Sequence, residues 1–111
     1  MQLVYFALPG RGEVTRILAK LQGLPLRDTR LDGATWRAEW RAQSPTGQAP
    51  LLQLEDGSYL TQSFAIERFL AGPYYPADKL QAARVDELCG CFEEVRRGWP
   101  SVCAHAREGQ H

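Results

Sequence analysis

The chain has 111 residues, 44% of them apolar, and its thirteen basic and thirteen acidic residues cancel. This length allows one domain, or one domain with an appendage, and the apolar fraction is sufficient for an ordinary core. The charges are scattered along the chain, which argues against the basic surface typical of a nucleic-acid-binding protein. We therefore expect no nucleic-acid partner.

No apolar run approaches the length of a membrane span, and residues 1–6 lack the basic flank and long apolar segment of a signal peptide. We expect a cytoplasmic protein without a membrane partner. The odd number of cysteines and their Cys-x-Cys spacing argue against a disulfide framework, and we expect no metal site. The cysteines are Cys89, Cys91 and Cys103.

In chain order, residues 2–6 predict a short strand, and Pro9–Gly12 forms the loop that leaves it. A helix follows, with Gly23 as its stop, because four apolar residues recur at helical spacing. Residues 26–31 predict a second strand, which a right-handed crossover places parallel to the first. Residues 34–42 predict a short helix with Trp36 and Trp40 one turn apart. The four apolar helix positions are Val14, Ile17, Leu18 and Leu21.

The next segment combines a proline, a hairpin and a helix start. Pro50 precedes an apolar run, and the Ala49–Pro50 bond is a candidate cis peptide. Asp56–Gly57 between apolar residues predicts a two-residue hairpin turn of type I′. Gln62–Ser63 opens a third helix, whose first N–H groups are suited to hold a carboxylate.

This order of elements predicts an α/β fold, a thioredoxin-like βαβ-ββα domain with a mixed four-stranded sheet and helices on both faces. We expect this domain at residues 1–72, a linker at 73–78, a helix at 79–100 and an irregular tail at 101–111. The fourth helix carries an apolar stripe that must pack against something. The stripe comprises Val85, Leu88, Cys89, Phe92, Val95 and Trp99.

Two features near the first strand have alternative interpretations. Tyr5 lies at the carboxyl end of that strand, where open α/β sheets bind ligands, and it is either a packing aromatic or a hydrogen-bond donor to an anion such as a thiolate. The glycines Gly10 and Gly12, with Asp32 about twenty residues later, resemble a dinucleotide-binding motif that lacks its third glycine. A nucleotide-binding βαβ protein is therefore an alternative.

Taken together, these segments resemble the N-terminal, glutathione-binding domain of the tyrosine-type cytosolic glutathione transferases. The sigma class, which includes glutathione-dependent prostaglandin D synthases, is most similar, followed by the pi class. The resemblance covers residues 2 to about 97. It rests on Leu3-Val4-Tyr5-Phe6, Gly10-Arg11-Gly12-Glu13, Trp36, Gly47-Gln48-Ala49-Pro50, Asp56-Gly57 and Gln62-Ser63-x-Ala65-Ile66.

The resemblance implies a role for each matching residue. Tyr5 corresponds to the tyrosine whose hydroxyl stabilises the glutathione thiolate, and Arg11 to an arginine that tunes that site. Trp36 and Arg41 correspond to the residues that meet the glycyl carboxylate, with arginine where the family often has lysine. Glu94 stands where sigma and pi proteins usually have the aspartate that reaches the γ-glutamyl ammonium group of the partner subunit.

The remaining implied glutathione contacts lie in the segment from the proline to the third helix. The resemblance implies that the backbone of Ala49, before cis-Pro50, pairs with the cysteinyl part of the peptide. It also implies that the loop residue Gln48 contacts glutathione, and that Gln62 and Ser63 hold its γ-glutamyl end.

The resemblance further implies conjugation of the glutathione thiolate to electrophiles, as in detoxification, or isomerisation of a prostaglandin endoperoxide by a homodimer. Glutathione is the co-substrate, and a small electrophile is the second substrate. Family members continue into an all-helical domain, whereas this chain stops after its first helix. A truncated paralogue, a splice form or an incomplete gene model is therefore expected, and a non-catalytic glutathione-binding or scaffold module is the alternative function.

Overall fold

Four strands form one sheet, and they span Gln2–Phe6 (β1), Arg27–Leu31 (β2), Leu51–Gln53 (β3) and Tyr59–Thr61 (β4). The first strand, β1, is an inner strand of the sheet and pairs on both edges. It runs parallel to β2, with Val4 opposite Thr29, and antiparallel to β3, with Val4 opposite Leu51. β4 pairs with β3 and completes the order β2-β1-β3-β4, which confirms the expected mixed four-stranded sheet.

This computed structural model describes the backbone of residues 1–108 and the side chains of residues 1–97. The chain divides into two compact units, of which the first comprises Met1–Gly72 and the second begins at Pro73. The helices are Glu13–Gln22 (α1), Gly33–Thr35 (α2), Ser63–Ala71 (α3) and Lys79–Glu108 (α4). Helix α2 continues as a π-helical turn at Trp36–Trp40 and a 3₁₀ turn at Arg41–Gln43, and further 3₁₀ turns lie at Gly10–Gly12 and Gly72–Tyr74.

Apolar side chains on both faces of the sheet form two separate buried clusters. Successive residues of a strand point to opposite faces, so Leu51 and Leu52 of β3 belong to different clusters. One cluster comprises Val4, Trp36 and Leu51, and the other comprises Leu52, Ile66 and Leu70. The segment after β2 therefore covers one face and α3 covers the other, as expected for helices on both faces.

Polar contacts define the ends of the helices. Helix α1 ends at Gly23, as predicted, and this glycine has the left-handed conformation with φ 64°. The Nε2 atom of Gln22 donates to the Leu70 carbonyl and so joins α1 to α3. Asp32 caps α2, because its carboxylate accepts from the Thr35 N–H at 2.7 Å. Asp78 caps α4 in the same way, accepting from the Gln81 N–H at 2.9 Å.

The predicted two-residue, type I′ hairpin turn is wrong. The Leu54 N–H donates to the Ser58 carbonyl at 2.8 Å and closes the loop, so three residues, 55–57, lie between this bonded pair. Only Gly57 among these three has a positive φ, at 86°, whereas a type I′ turn needs positive φ at two positions. The Asp56 carboxylate accepts from the Ser58 N–H at 2.9 Å, which favours this longer loop.

The predicted end of the fourth helix at residue 100 is also wrong, because α4 continues to Glu108. Pro100 removes one intrahelical hydrogen bond, but a helix can pass through a proline at that cost. Residues 109–111 of the expected tail lie outside the described residues. In the described part of the stripe, Leu88, Phe92 and Val95 are exposed. No helix within residues 1–108 is both long and apolar enough to cross a membrane.

Thr15 provides a test of packing between α1 and its surroundings. It is fully buried, and its Oγ1 atom has no hydrogen-bond partner among the described residues. Burying an unpaired hydroxyl costs about 1–3 kcal/mol. We therefore expect Thr15→Val, which keeps the shape and removes the hydroxyl, to raise the free energy of unfolding by about 1 kcal/mol in urea denaturation.

Thr15→Ser is the matched control, because it keeps the hydroxyl and removes only the methyl group. It should lower stability by about 1 kcal/mol, as expected for a lost buried methyl group. A Val variant that is less stable than the natural protein would show that the hydroxyl has a stabilising partner.

Candidate functional site

Tyr5 lies at the carboxyl end of β1, with its side chain buried against the turn that opens α1. The backbone N–H of Arg11 donates to the Tyr5 hydroxyl at 2.9 Å. A Cβ atom on Gly12 would lie 2.6 Å from Cδ2 of Tyr5, and one on Gly10 would collide with the hydroxyl. Both glycines are therefore needed for the turn to approach the ring this closely.

The Tyr5 hydroxyl accepts a hydrogen bond and still has its own proton to donate. A hydroxyl that accepts one hydrogen bond becomes a stronger donor in the next, because hydrogen bonds in a chain polarise one another. The arrangement thus suits donation to an anion near the end of β1.

The loop between residues 44 and 50 is fixed by its own hydrogen bonds. The buried Ser44 hydroxyl donates to the Gln48 carbonyl at 2.9 Å, and the Gly47 N–H donates to the Ser44 carbonyl at 3.1 Å. The Ala49–Pro50 peptide bond is cis, which confirms the expectation from the sequence. Ala49 packs on the cluster around Trp36.

The start of α3 has an unusual backbone. Gln62 precedes the helix with φ 72°, the one positive φ at a non-glycine position within residues 1–108. Its carbonyl accepts the Ile66 N–H at 3.0 Å, so Gln62 begins the helix as predicted. Ser63 is the first helical residue and is buried, whereas the Gln62 side chain is exposed. Such backbone strain is concentrated at functional sites in proteins.

A small cavity of about 70 Å³ joins three segments that are distant in sequence. Its volume corresponds to about two water molecules, so it can hold one end of a peptide and leaves the rest at the surface. The turn after β1, the loop before β3 and the start of α3 each contribute to it. Its lining residues are Arg11, Gln48, Ala49, Pro50, Gln62 and Ser63.

All six lining residues are among the ten site residues predicted from the sequence. Tyr5 does not line the cavity, but its hydroxyl is bonded to the backbone of Arg11, which does. A larger surface groove of about 430 Å³ lies along α1 and β2 and contains none of the predicted residues.

Three predicted residues lie elsewhere. Trp36 is buried in the cluster with Val4 and Leu51, and Arg41 is exposed in the 3₁₀ turn that follows α2. Glu94 is exposed on α4, in the second unit. The roles of all ten residues in binding glutathione stay predictions.

Asp32, which the dinucleotide alternative requires for a ribose, has a local structural role. Hydrogen bonds from the Thr35 backbone and side chain lower the pKa of Asp32 below its usual value. This carboxylate is the cap of α2, and capping accounts for an acidic residue at this position without a nucleotide.

The sequence matches the family "Glutathione S-transferase, N-terminal domain" over residues 1–72. The chain belongs to this family. Among curated relatives, S-crystallin SL18 of Nototodarus sloanii is 34% identical over 95 residues, covering 84% of this chain and 30% of the relative. Hematopoietic prostaglandin D synthase of Gallus gallus is 41% identical over 70 residues, covering 63% of this chain and 34% of that protein.

Solved structures agree with this family assignment. The glutathione S-transferase of Ascaris lumbricoides superimposes with a TM-score of 0.81 at 29% identity, covering 99% of this chain and 53% of that one. The chain therefore has the thioredoxin-like fold of glutathione S-transferases. It spans less than half the length of these curated relatives.

Two residues that support the candidate site were missed by the sequence analysis. Ser44 holds the carbonyl of Gln48, and Arg16 donates to the carbonyls of Phe6 and Leu8 in the turn after β1. A serine or an arginine in a polar segment has no distinctive pattern, and both roles depend on loop geometry. Within the described part of the chain, no group of three or more His, Cys, Asp or Glu side chains is arranged to hold a metal ion.

The backbone of Gln62 provides a test of strain at this site. A glycine adopts positive φ freely, whereas an alanine keeps the steric cost, which is about 1–3 kcal/mol for such a residue. We therefore expect Gln62→Gly to be more stable than Gln62→Ala by about 1 kcal/mol in urea denaturation.

The same pair of substitutions at Gln53, a strand residue with ordinary φ, is the matched control. At this position the glycine variant should be less stable than the alanine variant by about 0.5–1 kcal/mol. Equal stability of the two Gln62 variants would contradict strain at the start of α3.

Proposed function

We propose that the first unit binds glutathione, with the γ-glutamyl end of the peptide in the small cavity and the thiol near Tyr5. The observation that carries the proposal is the cavity itself, because it is lined by six of the residues that the family resemblance assigns to a glutathione site. The residues come from three separate segments, so their convergence is a property of the fold.

The γ-glutamyl carboxylate is proposed to lie at the start of α3. Ser63 is buried there and lines the cavity, so its hydroxyl and the first helical N–H groups are suited to hold an anion. Charge favours this arrangement further, because the amino end of a helix carries partial positive charge. The Gln62 amide supplies additional donor and acceptor groups, because this residue also lines the cavity.

The cysteinyl part is proposed to pair with the backbone of Ala49, which leaves the thiol facing the carboxyl end of β1. Tyr5 then donates its hydroxyl proton in a hydrogen bond to the sulfur and stabilises the thiolate form. In the reaction, the thiol first loses its proton to solvent, and the thiolate then uses an electron pair to form the carbon–sulfur bond to an electrophile. The electron pair of the bond that breaks goes to a leaving group or, in an addition, stays on the electrophile and takes up a proton. Arg11 adds positive charge at the same edge of the cavity.

The activity of a whole protein is a further part of this proposal, because the chain spans less than half of its curated relatives. Conjugation of electrophiles in detoxification, or isomerisation of a prostaglandin, would take place in a cytoplasmic homodimer. Glu94 would contact the γ-glutamyl ammonium group of glutathione in the partner subunit. The two activities are suggested by relatives named as a glutathione S-transferase and a prostaglandin D synthase. The homodimer and the Glu94 contact rest on the family resemblance alone.

A non-catalytic binding or scaffold module is the second candidate. It is favoured by a specific observation: several relatives that match over 95 residues are named S-crystallins, a name that states no transferase activity. The two candidates differ in whether the bound thiol is activated.

Calorimetric titration of the 111-residue chain with glutathione tests binding, and the ultraviolet absorbance of the thiolate across pH tests activation. Transferase chemistry requires binding together with a thiol pKa below the ordinary value of about 8.5. Binding with an ordinary thiol pKa would support the module. A titration with a dinucleotide is the control, and we expect it to show no binding.

Substitution of Tyr5 tests its role as donor. We expect Tyr5→Phe to raise the pKa of the bound glutathione thiol by about one unit, because the hydrogen bond to the thiolate is lost. The Kd for glutathione should change less than about threefold, because the peptide ends are held elsewhere; a threefold change is about 0.65 kcal/mol.

Tyr59→Phe is the matched control, since the Tyr59 hydroxyl lies on β4 and donates to Gln43 at 2.6 Å. It should leave the thiol pKa unchanged. An unchanged thiol pKa in Tyr5→Phe as well would remove Tyr5 from the mechanism.

Arg41 tests the proposed position of the glycyl carboxylate. We expect Arg41→Gln to weaken glutathione binding about tenfold, because a charge-assisted hydrogen bond contributes roughly 1.5–3 kcal/mol. Glutathione whose glycine is amidated should bind the natural chain and the variant with equal Kd. Arg37→Gln, on the preceding turn, is the matched control and should bind each peptide with the same Kd as the natural chain. If Arg41→Gln weakens the binding of glutathione and of amidated glutathione to the same extent, the glycyl end lies elsewhere.

A further inference from the structure

Arg16 is a charged residue in the first turn of α1, and its side chain is only 8% exposed. A buried charge is costly unless hydrogen bonds and an opposite charge compensate it. Its Nη1 atom donates to the Leu8 carbonyl at 2.8 Å, and its Nη2 atom donates to the Phe6 carbonyl at 2.9 Å. The guanidinium is therefore committed to the backbone that directly follows Tyr5.

Two carboxylates hold the guanidinium in this orientation. Asp28 of β2 accepts from Nε at 3.1 Å, and Glu13 accepts from Nη1 at 3.3 Å. The planar fork of an arginine can satisfy several partners at fixed angles, which the single ammonium group of a lysine cannot. Arg16 thus connects β2, α1 and the turn after β1 through one rigid group.

The same guanidinium lies over the ring of Tyr5, with Cζ 5.6 Å from the ring centroid. A cation at this distance attracts the electron-rich face of a phenol ring. Arg16 therefore acts on Tyr5 in two ways, through the ring face and through the backbone between Phe6 and Arg11. Both contacts restrict the position of the hydroxyl that accepts from the Arg11 N–H.

We propose that Arg16 is a positioning residue that sets the direction of the Tyr5 hydroxyl toward the glutathione thiol. The inference rests on the proposed glutathione site and adds a residue to it. We place Arg16 outside ligand contact, because its nearly buried guanidinium is bonded to two backbone carbonyls and two carboxylates. Its effect on the thiol passes through Tyr5.

A purely structural role makes a different prediction, so the two can be separated. If Arg16 only stabilised the fold, its removal would lower the melting temperature and leave the thiol pKa of bound glutathione unchanged. If it positions Tyr5, Arg16→Met should raise that pKa by about one unit, which is a tenfold loss of thiolate at pH values well below the pKa. The Kd for glutathione should change less than about threefold; a threefold change is about 0.65 kcal/mol.

The decisive experiment is a double-mutant cycle in the 111-residue chain with Arg16→Met and Tyr5→Phe. The thiol pKa is measured by ultraviolet absorbance in all four proteins. We expect Arg16→Met to have no further effect when Tyr5 is already phenylalanine. Equal shifts in both backgrounds would overturn the proposal, because Arg16 would then act on the thiol without Tyr5.

Arg16→Lys and Arg30→Gln complete the set. Lysine keeps the charge but loses the planar fork of the guanidinium. Arg16→Lys should therefore recover less than half of the rise in thiol pKa that Arg16→Met causes. Arg30 is exposed and pairs with the other oxygen of Asp28 at 2.9 Å, so Arg30→Gln is the control and should behave as the natural chain. If Arg16→Met does not fold, Asp28→Asn replaces it, since it removes the charge that orients the guanidinium. It should raise the thiol pKa in the same direction.

A measurement without glutathione separates this proposal from the proposed function. The Arg11 amide proton is protected from solvent exchange by its bond to the Tyr5 hydroxyl. We expect Arg16→Met to speed that exchange about tenfold or more, and Arg30→Gln to leave it unchanged. An unchanged rate in Arg16→Met would overturn the positioning role even in a chain that binds no glutathione. A chain with the expected exchange rates but no glutathione binding would overturn only the proposed function.

Discussion

Hydrogen bonds on both edges of β1 are the constraint on which the first unit depends. Pairing with β3 extends only to Val4, which lies opposite Leu51, and the next residue toward the loop is Pro50. A proline has no backbone N–H, so the ladder with β3 stops there while pairing with β2 continues through Phe6. The backbone of Tyr5 is thereby paired with β2 on one edge, and its other edge faces the loop before β3.

Bonds from side chains to backbone hold two of the segments around the cavity. Ser44 holds the loop before β3, and Arg16 holds the turn after β1, each by donating to carbonyl groups. A site whose loops are ordered before the ligand arrives loses less conformational entropy on binding. Buried polar residues that do not touch the ligand thus contribute to affinity and orientation through preorganisation.

The second unit contains a capped helix with an exposed apolar stripe. Helix α4 has an aspartate cap at Asp78, and Arg97 pairs with Glu93 at 3.1 Å within the helix. Leu88, Phe92 and Val95 are exposed along one stripe. All residues that line the small cavity belong to the first unit.

Much of the first unit follows from local sequence signals. The positions of helix α1, of its stop at Gly23 and of the start of α3 at Gln62–Ser63 were predicted close to those observed. Each depends on the apolar periodicity and end signals of its own segment. The hairpin was predicted with the wrong turn, since Asp-Gly is compatible with both two- and three-residue loops and only the strand register distinguishes them. The end of α4 was misplaced for a related reason: a proline weakens a helix without always ending it.

The sequence by itself therefore determined the order of elements, the mixed sheet and six of the residues that meet in the cavity. Those residues were identified by their resemblance to a family, since no local pattern brings Arg11, Gln48 and Ser63 together. Only the tertiary structure decided how far apart such groups lie, which carbonyls Arg16 holds and that Trp36 is buried in the core. The physical reason is that these contacts depend on strand register and loop conformation, which arise from packing between segments distant in sequence.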